Sequence, residues 1–264
     1  LYGKIGKEML SYSRLGLNGR LGNQMFQYAS LRGIAASNQY GFVIPSGGHQ
    51  LFDIFEMPEG ILNCSSSFSY ETFNEPHFHF DKNFMSGFPD NRDLFGYFQA
   101  EKYFKNIEDI IKNEFSIKST IIKNVDKFTD IFKNYKVFSI HFRRTDYLNN
   151  PNAHPTPSQD YYQSAINLFD DYDFGIVFSD DINWCKSQNL LNSDKFIFSY
   201  NHHFVDLYLM TQCHSNIIAN SSFSWWGAWL NQNKNKSVIA PSIWFGPPID
   251  ANTKDLIPED WTIL

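Results

Sequence analysis

VFSIHFRRTD, residues 137–146, is an apolar run that stops abruptly on two arginines and an aspartate. Val137, Phe138, Ile140 and Phe142 predict a short buried strand, and such near-continuous apolar strands belong to parallel sheets covered on both faces. In an open parallel sheet, ligands sit beyond the carboxyl ends of the strands, which is where Arg143 and Arg144 fall. Arginine keeps its charge at ordinary pH and presents a planar fork of donors matched to phosphate oxygens, so the pair can hold a diphosphate. Taken alone, the segment equally suits a solvated turn with Arg144 paired to Asp146.

The pattern recurs further along. FGIVF at 174–178 ends in Ser179-Asp180-Asp181, residues 195–199 lead into Asn201, His202 and His203, and residues 216–219 lead into Asn220, Ser221 and Ser222. Strand-like runs with polar groups gathered at their carboxyl ends describe a nucleotide-binding series of βα units. The block Asn220-Ser221-Ser222-Phe223-Ser224 also opens an apolar helix, and such a start offers side-chain and backbone donors to an anion. Its tryptophans suit packing against the sheet better than stacking on a base.

In the first half, residues 11–17 are a weak first strand running into Asn18-Gly19-Arg20-Leu21-Gly22-Asn23-Gln24 and a helix at 25–36. Strand, glycine turn and helix in that order would leave N–H groups facing a ligand crevice, with Gly19, Gly22, Asn23 and Gln24 on the loop. The dinucleotide fingerprint is absent, since the glycines lack its spacing. A helix start that simply needs a tight turn gives the same letters. Further strands are expected at 40–44, 77–80 (HFHF) and 94–99, and helices at 100–115 and 120–132. A boundary at 134–136 would divide the chain into domains 1–135 and 136–264. Helices at 158–169, around Trp184-Cys185 and at 205–213 complete the second half.

With 264 residues, 42% hydrophobic and 19% charged, the chain can bury a real core. Aromatic residues reach 17%, and a phenylalanine-rich core explains most of them. The net charge of -6 argues against a nucleic-acid surface, although a mononucleotide needs only a local positive spot. Cys64, Cys185 and Cys213 lack metal-ligand spacing and suit reduced thiols in a cytoplasmic setting. No apolar run approaches the ~18 residues of a membrane span, which leaves peripheral membrane association open.

GRLGNQMFQYA at 19–29, HFRRTDY at 141–147 and NSSFSWWGAWL at 220–230 together resemble the α-1,2-fucosyltransferases of glycosyltransferase family 11. GYFQAEKYF at 96–104, the Asp160-Tyr161-Tyr162 helix and FSDD at 178–181 follow in the same order, so the resemblance spans nearly the whole chain. It implies an α/β, GT-B-like architecture with two Rossmann-type domains facing a cleft, the first acceptor-side and the second donor-binding. It also implies GDP-L-fucose as donor substrate, a glycan acceptor, inversion at the anomeric carbon, and neither cofactor nor metal. Matched residue by residue, Arg143 meets the donor diphosphate, the Ser222-Phe223-Ser224 turn lies on the phosphates, and Asp180 and Asp181 lie near the nucleoside. His141, Arg144, Asn220 and Ser221 complete the expected donor set, with Arg144 equally suited to a structural role.

A carboxylate or histidine could take the acceptor proton, and Asp146 and His154 are the candidates. Asp146 equally suits orienting an arginine. Asp171-Tyr172-Asp173 resembles a metal-binding motif of a different transferase fold, but it precedes its strand and reads as a solvated turn. Two other readings stay open: the same chemistry with another 6-deoxyhexose nucleotide or acceptor, and a non-catalytic sugar-binding module. A lectin needs no diphosphate cradle, which disfavours the last.

Overall fold

The computed structural model describes residues 8–58, 62–63, 70–123 and 125–264. Packing divides them into two compact units, one holding the residues up to Lys118 with Ala251–Pro258, the other Ser119–Asp250 with Glu259–Leu264. Cys64 lies outside the described residues.

The first unit runs β1 (Met9–Ser11), α1 (Leu21–Asn38), β2 (Gly41–Ile44), α2 (Leu51–Ile54), β3 (Leu62–Asn63), β4 (Glu71–Asn74), β5 (Arg92–Phe95) and α3 (Glu108–Glu114). Its strands form a parallel sheet in the order β3-β2-β1-β5-β4. Three sequence expectations shift here. The first strand ends at Ser11 rather than starting there, because Ser11 Oγ, Ser13 N and Ser13 Oγ all donate to the Asp93 carboxylate at 2.7 Å and turn the chain out of the sheet. Residues 77–80 are bends: the His77 and His79 rings stack at 3.9 Å, and the strand is β4, just before them. The helix expected at 100–115 is broken into two 3₁₀ turns, Glu101–Tyr103 and Lys105–Ile107, before α3.

The break has a packing cause. α1 is buried along most of its length, and its Gly33 rides directly on the backbone of Tyr103 and Phe104.

The second unit begins with α4 (Ser119–Ile122) and α5 (Asp126–Asn134). The chain therefore divides earlier than residue 135, because Ile122, Val125, Phe128, Ile131 and Phe132 pack with Val137, Ile176, Leu209 and Met210. There follow β6 (Val137–Phe142), α6 (Gln159–Asn167), β7 (Phe174–Ser179), α7 (Ile182–Lys186), β8 (Phe196–Phe198), α8 (His203–Gln212), β9 (Ser215–Ile217), α9 (Ser222–Trp229), β10 (Val238–Ala240) and β11 (Thr262–Ile263). All pair in parallel, in the order β11-β10-β9-β6-β7-β8. Starting from β6, that is the doubly wound nucleotide-binding order, with its reversal between β6 and β9.

Every residue of β6 is buried, as a central strand requires. Phe138, Ile140 and Phe142 pack with Tyr161, Tyr162 and Ile166 of α6, while Val137 joins the cluster of α5 and α8. Successive side chains thus serve opposite faces. Ser139 and Asn216 are register partners on β6 and β9, and the Asn216 amide donates to Ser139 Oγ at 2.7 Å and to Met210 O at 2.9 Å. The Asn231 amide donates in turn to Asn216 Oδ1 at 2.9 Å. Trp225 and Trp226 are fully buried, as the packing reading expected. Among the described residues, no helix is long and apolar enough to cross a membrane.

A Cβ at Gly33 would lie 2.1 Å from Tyr103 O and 2.7 Å from Phe104 Cα, both backbone atoms that cannot swing aside. Gly33→Ala is therefore expected to cost ~1–3 kcal/mol. Denaturant unfolding should show a lowered midpoint at unchanged slope, and a wild-type midpoint would contradict the close approach.

Candidate active site

β6 ends at Phe142, and the next residues are gathered by one acid beyond β7. Asp180 accepts from the Arg144 N–H at 2.9 Å, the Thr145 N–H at 3.2 Å and the Thr145 hydroxyl at 2.6 Å, and pairs with Arg143 Nη1 at 3.0 Å. The second arginine edge, Nη2, meets Asp146 Oδ1 at 2.6 Å. Arg143 keeps 16% of its side chain exposed, so it is reachable from solvent at the carboxyl edge of the sheet.

Arg144 has a different environment. Its guanidinium lies flat over the Trp184 ring at 3.5 Å from the centroid, and its Nε pairs with Asp181 Oδ2 at 3.4 Å. Asp181 also caps α7, accepting from Trp184 N at 3.2 Å. Arg144 and Asp181 therefore fasten the turn to α7, while Arg143 is held by Asp180 and Asp146; the two side chains are equally exposed, at 16%. Two guanidinium groups face three carboxylates here.

Across the strand reversal, Asn220 is buried between two loops. Its amide donates to Pro155 O at 2.7 Å and Trp244 O at 2.9 Å, its own carbonyl accepts from the Tyr147 hydroxyl at 2.8 Å, and its Oδ1 is buried without a partner. Tyr147 in turn lies under the Arg143 guanidinium, 5.6 Å from ring centroid to Cζ. Ser221 stands at the N-cap of α9 without a side-chain capping bond. Ser222, Phe223 and Ser224 form the first turn of that helix, where backbone N–H groups and the helix dipole favour an anion.

His141 sits in β6 with its ring 5.8 Å from that of Phe223, and its Nδ1 is buried without a partner. Burial holds its pKa well below the ordinary imidazole range. The Arg143 charge pushes the same way, and the Asp180 charge opposes both. His141 is neutral at physiological pH. His154, the other histidine considered as a base, stacks on Tyr147 (5.1 Å) and meets Phe245 edge-on (5.8 Å), with its Nδ1 also buried and unpartnered.

Gly19, Gly22, Asn23 and Gln24 open α1 in the first unit. Gly19 has φ +86°, and a Cβ there would fall 2.1 Å from Asn23 Nδ2, so the Asn23 amide occupies the space a side chain would need. Asn23 accepts from Gln99 at 2.7 Å, and Gln24 accepts from Gln50 N at 2.9 Å. Asp173 accepts from Lys136 N at 2.7 Å and Asp171 pairs with Lys136, which puts that motif at the amino ends of β6 and β7. Among the described residues, no group of three or more His, Cys, Asp or Glu side chains is arranged to hold a metal ion. Cys185 and Cys213 are buried free thiols, the former pushed up to about 11 by burial.

Sequence reasoning missed Asp206. It projects from α8, is buried, and accepts from Ser199 Oγ, just past β8, at 2.5 Å. Burial pushes its carboxyl up to about 7, against the lowering effect of the Ser199 bond. His203, on the same helix turn, approaches Phe223 at 6.3 Å. Asp206 and His203 share the first turn of α8. The only cue in the sequence is an acid inside the otherwise apolar FVDLYLM.

The sequence model of glycosyl transferase family 11 matches residues 6–264. The chain is 32% identical over 290 positions to alpha-1,2-colitosyltransferase of Escherichia coli, with 93% of this chain and 96% of that protein covered. It is 34% identical over 185 positions to O-antigen biosynthesis glycosyltransferase WbnK of Escherichia coli, covering 65% of this chain and 60% of WbnK, less than two thirds of that relative's length. NodZ alpha-1,6-fucosyltransferase, in crystals soaked with GDP-fucose, superposes with a TM-score of 0.54 at 14% identity, covering 84% of this chain and 92% of that one. At that identity the likeness is one of fold, and the fold is GT-B-like, as the resemblance implied.

Asp206 makes a stability prediction with a definite sign. Its folded pKa, about 7, lies above the ordinary carboxyl value of 3.8, so folding favours the protonated form. The stabilisation is complete below about pH 4 and is lost as pH rises through about 7. Asp206→Asn keeps an acceptor for Ser199 and removes the titration. Its stability relative to wild type should therefore improve by roughly 1–4 kcal/mol from pH 4 to pH 8. Parallel denaturation curves across that range would refute the shifted carboxyl.

Proposed function

The chain belongs to glycosyl transferase family 11, and we propose that it moves L-fucose from GDP-L-fucose to the 2-hydroxyl of a β-galactoside in a surface glycan, with inversion and without a metal. What carries the reading is Arg143: a guanidinium at the rim, just past the central strand, on the strand reversal that also presents the first turn of α9. In transfer, the acceptor oxygen attacks the anomeric carbon and the bond to the β-phosphate oxygen breaks, its electron pair leaving with GDP. Negative charge grows on that phosphate, and a fixed cation aimed at it lowers the barrier.

Asp146 Oδ1 pairs with the arginine edge that a phosphate oxygen would take. A donor that displaces it gains the guanidinium and releases a carboxylate beside the reacting centre, where it can accept the hydroxyl proton. Asp180 stays in place as the support of the turn. His141, neutral and with Nδ1 unpartnered, can accept a hydrogen bond from the donor but brings no charge.

Asp180 and Asp181 are each held at several points by the turn and α7, whereas the buried Asp206 has the Ser199 bond on Oδ1 and keeps Oδ2 to help read the base. Guanine carries two adjacent donors, N1–H and the 2-amino group, that one carboxylate can accept together, whereas uracil offers a single N–H on that edge. A second reading is favoured by the alpha-1,2-colitosyltransferase relative. Colitose lacks the 3-hydroxyl of fucose, and the same phosphate and base contacts would serve either sugar.

Transfer from a panel of GDP- and UDP-sugars to mixed glycan acceptors, with linkage read by NMR, tests the function; activity confined to UDP-sugars would overturn it. Arg143→Ala is expected to fold and to lose roughly 10²–10³ in turnover. Asp206→Asn should weaken GDP binding while leaving the weak binding of UDP unchanged. EDTA should leave transfer intact, and a loss restored by Mn²⁺ would refute metal independence.

A further inference from the structure

The first unit has a strand reversal of its own that the donor reading does not use. In its sheet β2 and β3 lie on one side of β1, while β5 and β4 lie on the other. Parallel sheets open a crevice beyond the carboxyl ends of the two strands at such a reversal. Here those ends run into the loop at 12–20 and the turn Gly96-Tyr97-Phe98-Gln99.

The turn is held from several directions. Glu75, just past β4, accepts the N–H of Tyr97 at 2.7 Å and of Phe98 at 3.0 Å, and the Tyr12 hydroxyl accepts the Gly96 N–H at 2.9 Å. Phe98 is forced to φ +51°, unusual for a bulky residue and a mark of a backbone fixed by its surroundings. Gln99 donates to Asn23, and Gln27 bridges the two loops by donating to Asn18 O at 3.1 Å and Gly96 O at 3.2 Å.

Two observations point to a ligand. The side-chain oxygens of Gln27 and Gln99 are buried without a partner, on residues only 0% and 5% exposed. Buried polar atoms nearly always find partners, so two donors are wanting at this spot. Beside them Tyr97 is 42% and Leu17 72% exposed, large apolar surfaces offered to solvent on a tightly fixed backbone. Carbonyl acceptors and the Glu75 carboxylate repel a phosphate. They suit a neutral ring whose hydroxyls donate and whose C–H face lies on an aromatic.

We propose that the turn at 96–99 is the acceptor-sugar subsite, with Tyr97 as the stacking face and the side-chain oxygens of Gln99 and Gln27 accepting from sugar hydroxyls. This rests on the transferase reading above. Burial pushes the Glu75 carboxyl up to about 7 in spite of its two N–H bonds.

The test uses the full chain with GDP-fucose and methyl β-D-galactoside. Tyr97→Ala, at an exposed position, and Gln99→Leu, close in shape, should each raise the acceptor KM roughly tenfold. GDP affinity and acceptor-independent donor hydrolysis should stay within about twofold of wild type. An unchanged acceptor KM, or a parallel loss of GDP affinity, overturns the subsite. Saturation-transfer NMR of methyl β-D-galactoside on wild type and Tyr97→Ala, without nucleotide, needs no turnover. Signal on wild type that disappears in the variant supports the subsite; signal on both, or on neither, overturns it. If no GDP-sugar is used at all, the transferase reading fails while this second arm still decides the subsite. Should Gln99→Leu not fold, Tyr97→Ala decides.

Discussion

The carboxylate of Asp180 ties the end of one central strand to the end of its neighbour. It receives two backbone N–H groups and a hydroxyl from the turn after β6, and a guanidinium edge as well. Bonds to an ionised acceptor are stronger than neutral ones, and four converging on one residue leave the turn little freedom. The direction of Arg143 follows from this. Its neighbour Arg144 spends its own charge on Asp181 and its flat face on Trp184, so adjacent identical residues end in unlike roles. The two side chains are equally exposed, and what differs is the partner set: Asp180 and Asp146 for one, Asp181 and the Trp184 ring for the other.

Charge is treated locally throughout. The whole chain is acidic, at -6, and the arginines are themselves surrounded by acids. The positive charge at the end of β6 is therefore local and already paired. The first unit offers the complementary chemistry, with amide oxygens and an exposed aromatic in place of cations.

Legibility in the sequence tracked length and contrast. β6 and β7 are six residues each and end sharply in polar clusters, so their extent and the placement of Arg143, Asp180 and Asn220 at strand ends could be read directly. β1, β10 and β11 have two or three residues, too few to establish a period, and their pairing is decided by neighbours. HFHF misled because alternation of histidine and phenylalanine fits a strand, whereas here two histidine rings stack within a bend. The 100–115 segment has helical spacing, but the approach of Gly33 to Tyr103 interrupts it. Asp206 was hard to read for a different reason: its one local cue is the apolar FVDLYLM around it, and the Ser199 partner lies across a strand end.

The amide of Asn216 lies well inside the second unit, away from any solvent, yet it governs alignment at the surface. It bonds to its register partner Ser139, and both chains then travel four residues further, to Asn220 and Arg143 respectively. Slippage by a single residue would turn alternate side chains to the wrong face and put these two out of step. A buried hydrogen bond between an amide and a hydroxyl thus works as a gauge block, setting the heights of the two rim groups against each other. Tolerance to substitution should consequently be lower at this interior pair than at most positions visible from outside.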